Sequence, residues 1–429
     1  MARKQIMKGI MALSPIAVLL SIYLIGSIIA GDFYRIPIAA AFVVASIYAI
    51  IITRGNSLAE RIDNFSKGAA DVRIMYMVWI FVLAGAFAAT AKEMGAVSAT
   101  VNFTLQFVPG NFLPAGIFVA SCFISMSIGT SVGTVVALTP VVTALAAQMG
   151  CDVAWLVAIV VGGAFFGDNL SFISDTTIAA TQTQGCSMRS KFRTNIFLVM
   201  PAAFAALLLY AFSGAAIDVI EPVQVTLIDF VKVIPYIFVI VAALFGMNVL
   251  AVLIWGTLVA AVIGLAFGGF DIVGFFTTCG TGINSMCELI IVTMLAGGLL
   301  EIVRLNGGID FLIRIITNRI RSRRAAEGAI ALLVALANVC TANNTIAILT
   351  VGTISRNISQ RFNISPRRSA SLLDTTSCFV QGMLPYGAQL LMASGLAAVS
   401  PLAIIGNLYY PMCVGAVIIL SILFPVTRK

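Results

Sequence analysis

Histidine is absent from all 429 residues, and charge is scarce: 25 Lys and Arg, 17 Asp and Glu, together 10% of the chain. A soluble domain carries about 25% charged residues. Without His the commonest general base and metal ligand are missing, and no nucleophile–base pair is visible, so an enzyme is not expected. Eight Cys are present, but none fall at metal-ligand spacing and most sit in apolar surroundings. Neither a structural zinc site nor a disulfide framework is expected. Long polar stretches are also lacking, which excludes a soluble reading.

What is present is apolar: 60% of the residues are hydrophobic and the mean hydropathy is +1.07. The apolar runs are long and continuous, as in FVVASIYAII at 42–51. A membrane barrel would show short alternating segments instead. Spans in lipid satisfy their backbone groups internally, so the expectation is an all-α polytopic membrane protein. The formal charge of +8 lies in a few loops, where it reads as a topology signal rather than a nucleic-acid surface. Residues 1–30 imitate a signal peptide, with Arg3, Lys4 and Lys8 before an apolar core. That core is too long and lacks a convincing cleavage site, so it reads as the first span.

Simple spans are expected at 10–30, 36–52, 74–91, 153–173, 196–215, 232–245, 249–267, 288–303 and 402–424. Residues 112–148 read as two short apolar pieces joined by SIGTSVGT, and 328–355 as two pieces joined by CTANNT. The segment 369–399 is interrupted at QGMLPYG, and 273–287 is too polar for a clear span. Basic residues cluster at the N-terminus and in loops 53–73, 186–195, 304–324 and 356–368, which assigns these to the cytoplasm. Loop 216–231, with Asp218, Glu221 and Asp229 and no base, suits the outside.

These assignments make 112–148 enter and return from outside, and 328–355 enter and return from the cytoplasm. Residues 1–231 then read as two spans, one span, a broken hairpin at 112–148, an interrupted span at 153–177 and one span back. Residues 232–429 give the same order, with a broken hairpin at 328–355 and an interrupted span at 369–399, in the opposite orientation. That is the pattern of an inverted-repeat transporter with broken helices and re-entrant or short helical hairpins. TSVGTVVALTPV at 130–141 and NNTIAILTVGTI at 343–354 share a polar start and Thr and Gly spacing. Chance similarity between two apolar segments gives the same pattern.

Four polar clusters interrupt the apolar background. They are Thr130, Ser131 and Thr134; then Asp168, Asn169, Ser171, Ser174, Asp175, Thr176 and Thr177; then Asn338, Thr341, Asn343, Asn344 and Thr345; and finally Asp374 through Ser377 with Gln381. A carboxylate at membrane depth costs several kcal/mol, so something must offset it. Hard cations take oxygen ligands, which carboxylates, hydroxyls, Asn amides and the freed carbonyls of a broken helix all supply. Asp168 and Asp175 are the expected pair for the ion. They are seven residues apart, which on a continuous helix is two turns, about 10.5 Å. A desolvated carboxylate binds its proton more tightly and a nearby cation opposes that, so one group can alternate between the two.

Thr130, Ser131 and Thr134 can simply bond back to their own helix. Asp374 follows closely on Arg367 and Arg368 and can cap a helix or pair with them at the cytoplasmic mouth. Asp152 reads as a cap and Glu288 as a first-turn residue.

FGDNLSFISDTT at 166–177 resembles the signature of the NhaC-type sodium/proton antiporters, close to F-G-D-x-x-S-P-x-S-D-T-T, and GTSVGT at 129–134 resembles the family's preceding segment. The resemblance implies that Asp168 and Asp175 are the family's acidic pair and that Ser171, Ser174, Thr176 and Thr177 are its polar flanks. The chain departs at Phe172, where Pro is usual, and at Asn169, where Lys is common.

The favoured function is a sodium or lithium/proton antiporter of a bacterial plasma membrane, with no cofactor and sodium as the transported or coupling ion. Its partners are then the lipid bilayer, small cations and protons, with homo-oligomers left open. The alternative is a sodium- or proton-coupled carrier of small carboxylates or amino acids. It would hold the substrate carboxylate at helix N-termini near Asn343, Asn344 and Thr345, as the wider family also resembles organic-acid exchangers. A lack of any buried Arg or Lys argues against it. Both termini are expected in the cytoplasm. Val225→Cys should label with an impermeant thiol reagent from outside and Ile320→Cys from the cytoplasm only. Labelling of position 225 from the cytoplasm alone would reverse the orientation.

Overall fold

A computed structural model of the chain describes residues 2–30, 37–54, 57–107, 112–171, 174–214, 226–245, 247–317 and 320–424. Asp218 and Glu221 of the acidic loop, and Phe172, lie outside the described residues. The described residues form helices and no strands. The first half contains α1 (Ala2–Ala30), α2 (Ile38–Ile52), α3 (Leu58–Ala69), α4 (Val72–Glu93), α5 (Ala96–Phe107), α6 (Leu113–Ile128), α7 (Ser131–Met149), α8 (Val153–Leu170), α9 (Asp175–Gln184) and α10 (Met188–Gly214). The second contains α11 (Leu227–Leu244), α12 (Val249–Ala266), α13 (Ile272–Ser285), α14 (Cys287–Leu305), α15 (Gly308–Thr317), α16 (Arg323–Thr341), α17 (Asn344–Arg361), α18 (Pro366–Gly382), α19 (Ala388–Ala397), α20 (Pro401–Gly406) and α21 (Tyr409–Leu423). Among the described residues, six segments are long and apolar enough to cross a membrane, or seven if the pair α13–α14, bent by 42°, counts as one. The protein is an all-α, multi-span membrane protein with broken helices.

Several stretches read as loops are helical. The basic segments 53–73 and 304–324 hold α3 and α15, whose charged residues share a helix with an apolar face. A search for unbroken apolar runs passes over such helices. The polar stretch 273–287 is α13, with Asp271 accepting from Gly274 N–H at its N-terminus. Segment 402–424 splits into α20 and α21. The hairpin arms are longer than two short pieces: α6 has 16 residues, α7 19, α16 19 and α17 18. Asp152 caps α8 by accepting from Ala154 N–H, and Glu288 stands in the first turn of α14.

The two hairpins turn by the same device. The α6 end passes through left-handed Gly129 (φ 75), whose N–H bonds Ser125 O, and the α16 end through left-handed Ala342 (φ 51), whose N–H bonds Asn338 O. Left-handed backbone is easy for Gly and strained for Ala, so the second tip is held against its own preference. Each hairpin then grips the helix that follows it. Ser125 Oγ donates to Ala164 O at 2.7 Å, and Asn338 Nδ2 donates to Ser377 O at 2.7 Å. The short helix after each break packs on the opposite hairpin, α9 on α17 and α19 on α7, and α10 packs on α21.

Two glycine crossings hold the outer helices together, and they too come as a pair. α3 meets α14 where a Cβ on Gly68 would stand 2.6 Å from Gly297 O, and α13 meets α4 where a Cβ on Gly282 would run into Gly85 O. Such approaches leave no room for a methyl group. Gly282→Ala should therefore lower the thermal stability of the detergent-solubilised protein, since overpacking costs about 1–3 kcal/mol. Gly280→Ala on the same helix, with nothing within 4 Å of its added Cβ, should not. Equal melting curves for the two variants would refute the crossing.

Candidate ion-binding site

The centre of the molecule is the break between α8 and α9. Gly167 brings α8 so close to α6 that any side chain would overlap Ser125. Three residues further, the chain leaves the helix: Ser171 is extended, its N–H still bonded to Gly167 O at 2.7 Å, and Ser174 starts α9. At this break the carbonyls of Asp168 and Asn169 accept from side chains.

Asp168 is 4% exposed. Its carboxylate sits on the N-terminus of α7, just after the left-handed Gly129. Oδ1 accepts from Ser131 N–H at 3.0 Å, Oδ2 from Ser131 Oγ at 2.5 Å, and Ser174 Oγ lies 3.4 Å from Oδ1. The positive end of the helix dipole favours a negative group there. Thr176 and Thr177 hydroxyls turn to Asp168 O, each at 3.4 Å. Among the described residues no Lys or Arg pairs with Asp168.

A second carboxylate lies in the same interior, with a base. Asp374 is fully buried in the middle of α18, and its Oδ2 is 2.7 Å from Lys191 Nζ and 2.8 Å from Asn195 Nδ2. It pairs neither with Arg367 nor with Arg368. Arg368 is instead a fork on buried Glu327 of α16, at 3.0 and 2.9 Å, with Ser421 Oγ at 2.9 Å. Lys191 also donates to Asn169 O at 2.9 Å and to Thr177 Oγ1 at 2.6 Å. The ammonium has three protons and three oxygen partners, so its donors are all used.

The expectation that the interior holds no Lys is thus corrected. α10 begins at Met188, eight residues ahead of the expected span, and takes Lys191 and Asn195 out of the supposed cytoplasmic loop. Lys191, Asn195, Val199, Ala202, Ala206 and Tyr210 are buried along one face. Arg189 and Arg193 are exposed, and Phe197, Met200 and Phe204 form an apolar outer face. That helical period runs back from the apolar segment and was the available signal.

The second hairpin reaches the same place through amides. Gln381 Nε2 donates to Ala342 O and to Gln389 Oε1, both at 3.0 Å, and Gln389 Nε2 donates to Ser131 Oγ at 3.0 Å. A chain of side chains thereby joins Asp168 and the first hairpin tip to the second tip. Asn169 Nδ2 donates to Tyr410 Oη at 2.9 Å. Asn344 is buried with its Nδ2 3.9 Å from Cys378 Sγ, while Asn343 caps α17 by accepting from Ile346 N–H at 3.0 Å. Thr130 is the residue before α7, without a side-chain cap bond. Thr345 is half-buried, and its N–H bonds Asn344 Oδ1 at 3.1 Å. Ser171, Ser174 and Thr176 are buried around the break. Asp175 is not brought onto Asp168: it stands exposed in the first turn of α9, with no hydrogen bond or ion pair among the described residues. It remains within electrostatic reach of Asp168, as does Asp374.

Asn169 Oδ1, Asn195 Oδ1, Asn338 Oδ1, Asp374 Oδ1 and Gln381 Oε1 are buried without a protein hydrogen-bond partner. Among the described residues no group of three His, Cys, Asp or Glu is set to hold a metal. A monovalent hard cation needs no such cluster; carbonyls, hydroxyls and one carboxylate suffice.

Known proteins match this chain along most of its length. It is similar to a malate-2H(+)/Na(+)-lactate antiporter of Bacillus subtilis, with 24% identity covering 86% of this chain and 85% of the relative. It is similar to the Na(+)/H(+) antiporter NhaC of Alkalihalophilus pseudofirmus, with 22% identity and 82% of each chain covered. NhaC of Bacillus subtilis gives 24% identity over 78% of this chain and 80% of its own. The sequence pattern of the Na+/H+ antiporter family matches twice, over residues 6–215 and 216–426. With nearly every residue inside one match or the other, the chain belongs to the Na+/H+ antiporter family, a family of transporters and not of enzymes.

Proposed function

We propose that this protein exchanges sodium or lithium for protons across a bacterial plasma membrane, with Asp168 as the group for which cation and proton compete. One observation carries the proposal: of the buried carboxylates described, Asp374 and Glu327 have bases and Asp168 has none. An isolated buried charge is costly, and a proton or a cation removes that cost equally well. Asp168, Asp374 and Lys191 together carry one net negative charge, matched by one Na+ or one H+.

The same contacts supply a rule for movement. Charged Asp168 holds the N-terminus of α7 through Ser131; once neutralised it is a weaker acceptor, because charge-assisted bonds are about twice as strong as neutral ones. The loaded carrier then reorients more readily than the empty one, which couples the two fluxes. In this reading residues 1–231 and 232–429 are inverted repeats with both termini cytoplasmic, and the two hairpin tips alternate access around the break.

The similarity to a malate-2H(+)/Na(+)-lactate antiporter and the presence of buried Lys191 favour a second reading, a coupled carrier of small carboxylates. Against it, Lys191 has no donor left for a substrate carboxylate.

In proteoliposomes, wild-type protein should acidify or alkalinise the lumen on addition of Na+ or Li+ without any organic solute. Asp168→Asn should fold and show background exchange. Asp175→Asn should keep exchange within about tenfold of wild type, because a charge in partly solvated surroundings contributes about 1 kcal/mol. Normal exchange by D168N would overturn the assignment. Flux that requires malate, lactate or an amino acid would favour the carboxylate carrier.

A further inference from the structure

We infer that Lys191 is a built-in cation occupying a second alkali-ion position, and that it thereby limits the exchange to one sodium ion per cycle. The inference rests on the proposed exchange at Asp168. The ammonium is held by a main-chain carbonyl at the helix break (Asn169 O), a hydroxyl (Thr177 Oγ1) and a carboxylate (Asp374 Oδ2), at 2.9, 2.6 and 2.7 Å. These are the oxygen types that a hard cation selects. A calcium-sized ion such as sodium takes them at about 2.3–2.6 Å, a few tenths of an ångström inside the present distances.

The surroundings can complete a coordination shell. Asn195, one turn beyond Lys191 on the same face of α10, donates to both Asn169 O and Asp374 Oδ2 at 2.8 Å, and its own Oδ1 has no partner. Asp374 Oδ1 and Asn169 Oδ1 are also without partners, and all three residues are fully buried. An ion pair alone would need none of these spare oxygens. With Lys191 in place, Asp374 is neutralised from within and its charge takes no part in exchange. Without it the interior holds two uncompensated carboxylates, each with its own oxygen cradle.

The test is the number of sodium ions bound. Purified full-length protein, kept in sodium throughout, is titrated with radioactive Na+ in alkaline buffer, where proton competition is least. Wild type should bind one ion per chain. Lys191→Ala should bind two, and the double variant Lys191→Ala/Asp374→Asn, which removes both charges, should return to one. A K191A protein that binds one ion overturns the inference, since the position Lys191 vacates is then no cation site. If K191A cannot be purified even with sodium present, the double variant decides: loss of its one sodium ion overturns the inference, and its retention supports it. Wild-type protein that binds no sodium overturns the exchange reading itself, a separate outcome.

Discussion

Everything in the interior is arranged around one uncompensated carboxylate at a helix break. Asp168 is buried at the end of α8 with hydrogen-bond donors from Ser131 but no base. A fixed counter-charge would make it a structural ion pair, as Arg368 does for Glu327. A continuous helix in place of the break would leave its carbonyl and that of Asn169 inside the backbone ladder, unavailable to Thr176, Thr177, Lys191 and Asn195. The break and the missing counter-charge together are what the proposed exchange at Asp168 rests on.

The second half of the chain gives the site its other wall. At the position in α18 that corresponds to Asp168 in α8, six residues before the start of the following short helix's cap, stands Gln381. Where Asp168 accepts from the first hairpin tip, Gln381 donates to the second through Ala342 O. Ser125 and Asn338 each grip a carbonyl of the helix that follows their hairpin, Ala164 O and Ser377 O. Gln389 bridges the halves between Gln381 and Ser131.

The architecture was largely legible from apolar runs and basic loops, because lipid forces continuous helices and leaves few alternatives. Amphipathic α3 and α15 were not, since their apolar faces are interrupted by charge. Within the site, depth and the nearby break singled out Asp168, and the polar tips pointed to Ser131 and Asn344. Asp374 was visible, but its partner was not: Arg367 and Arg368 are adjacent in sequence, whereas Lys191 arrives from 183 residues away through the fold. Lys191 itself looked like one of three loop bases, and only helical spacing separates it from exposed Arg189 and Arg193. Asp175 is placed apart from Asp168 by the break. An interruption of this span was expected, but not the direction it gives α9, which leaves Asp175 exposed in that helix's first turn.

Competition between proton and sodium at Asp168 is the claim on which the account stands. It is measured most directly by titrating the purified wild-type protein with NaCl in a calorimeter at a series of pH values. Each competing proton weakens sodium binding as pH falls, by up to about tenfold per pH unit once the proton is bound. Sodium affinity should therefore drop steadily on acidification, with protons released as sodium enters. An affinity that does not change with pH, or sodium binding without proton release, would contradict the account.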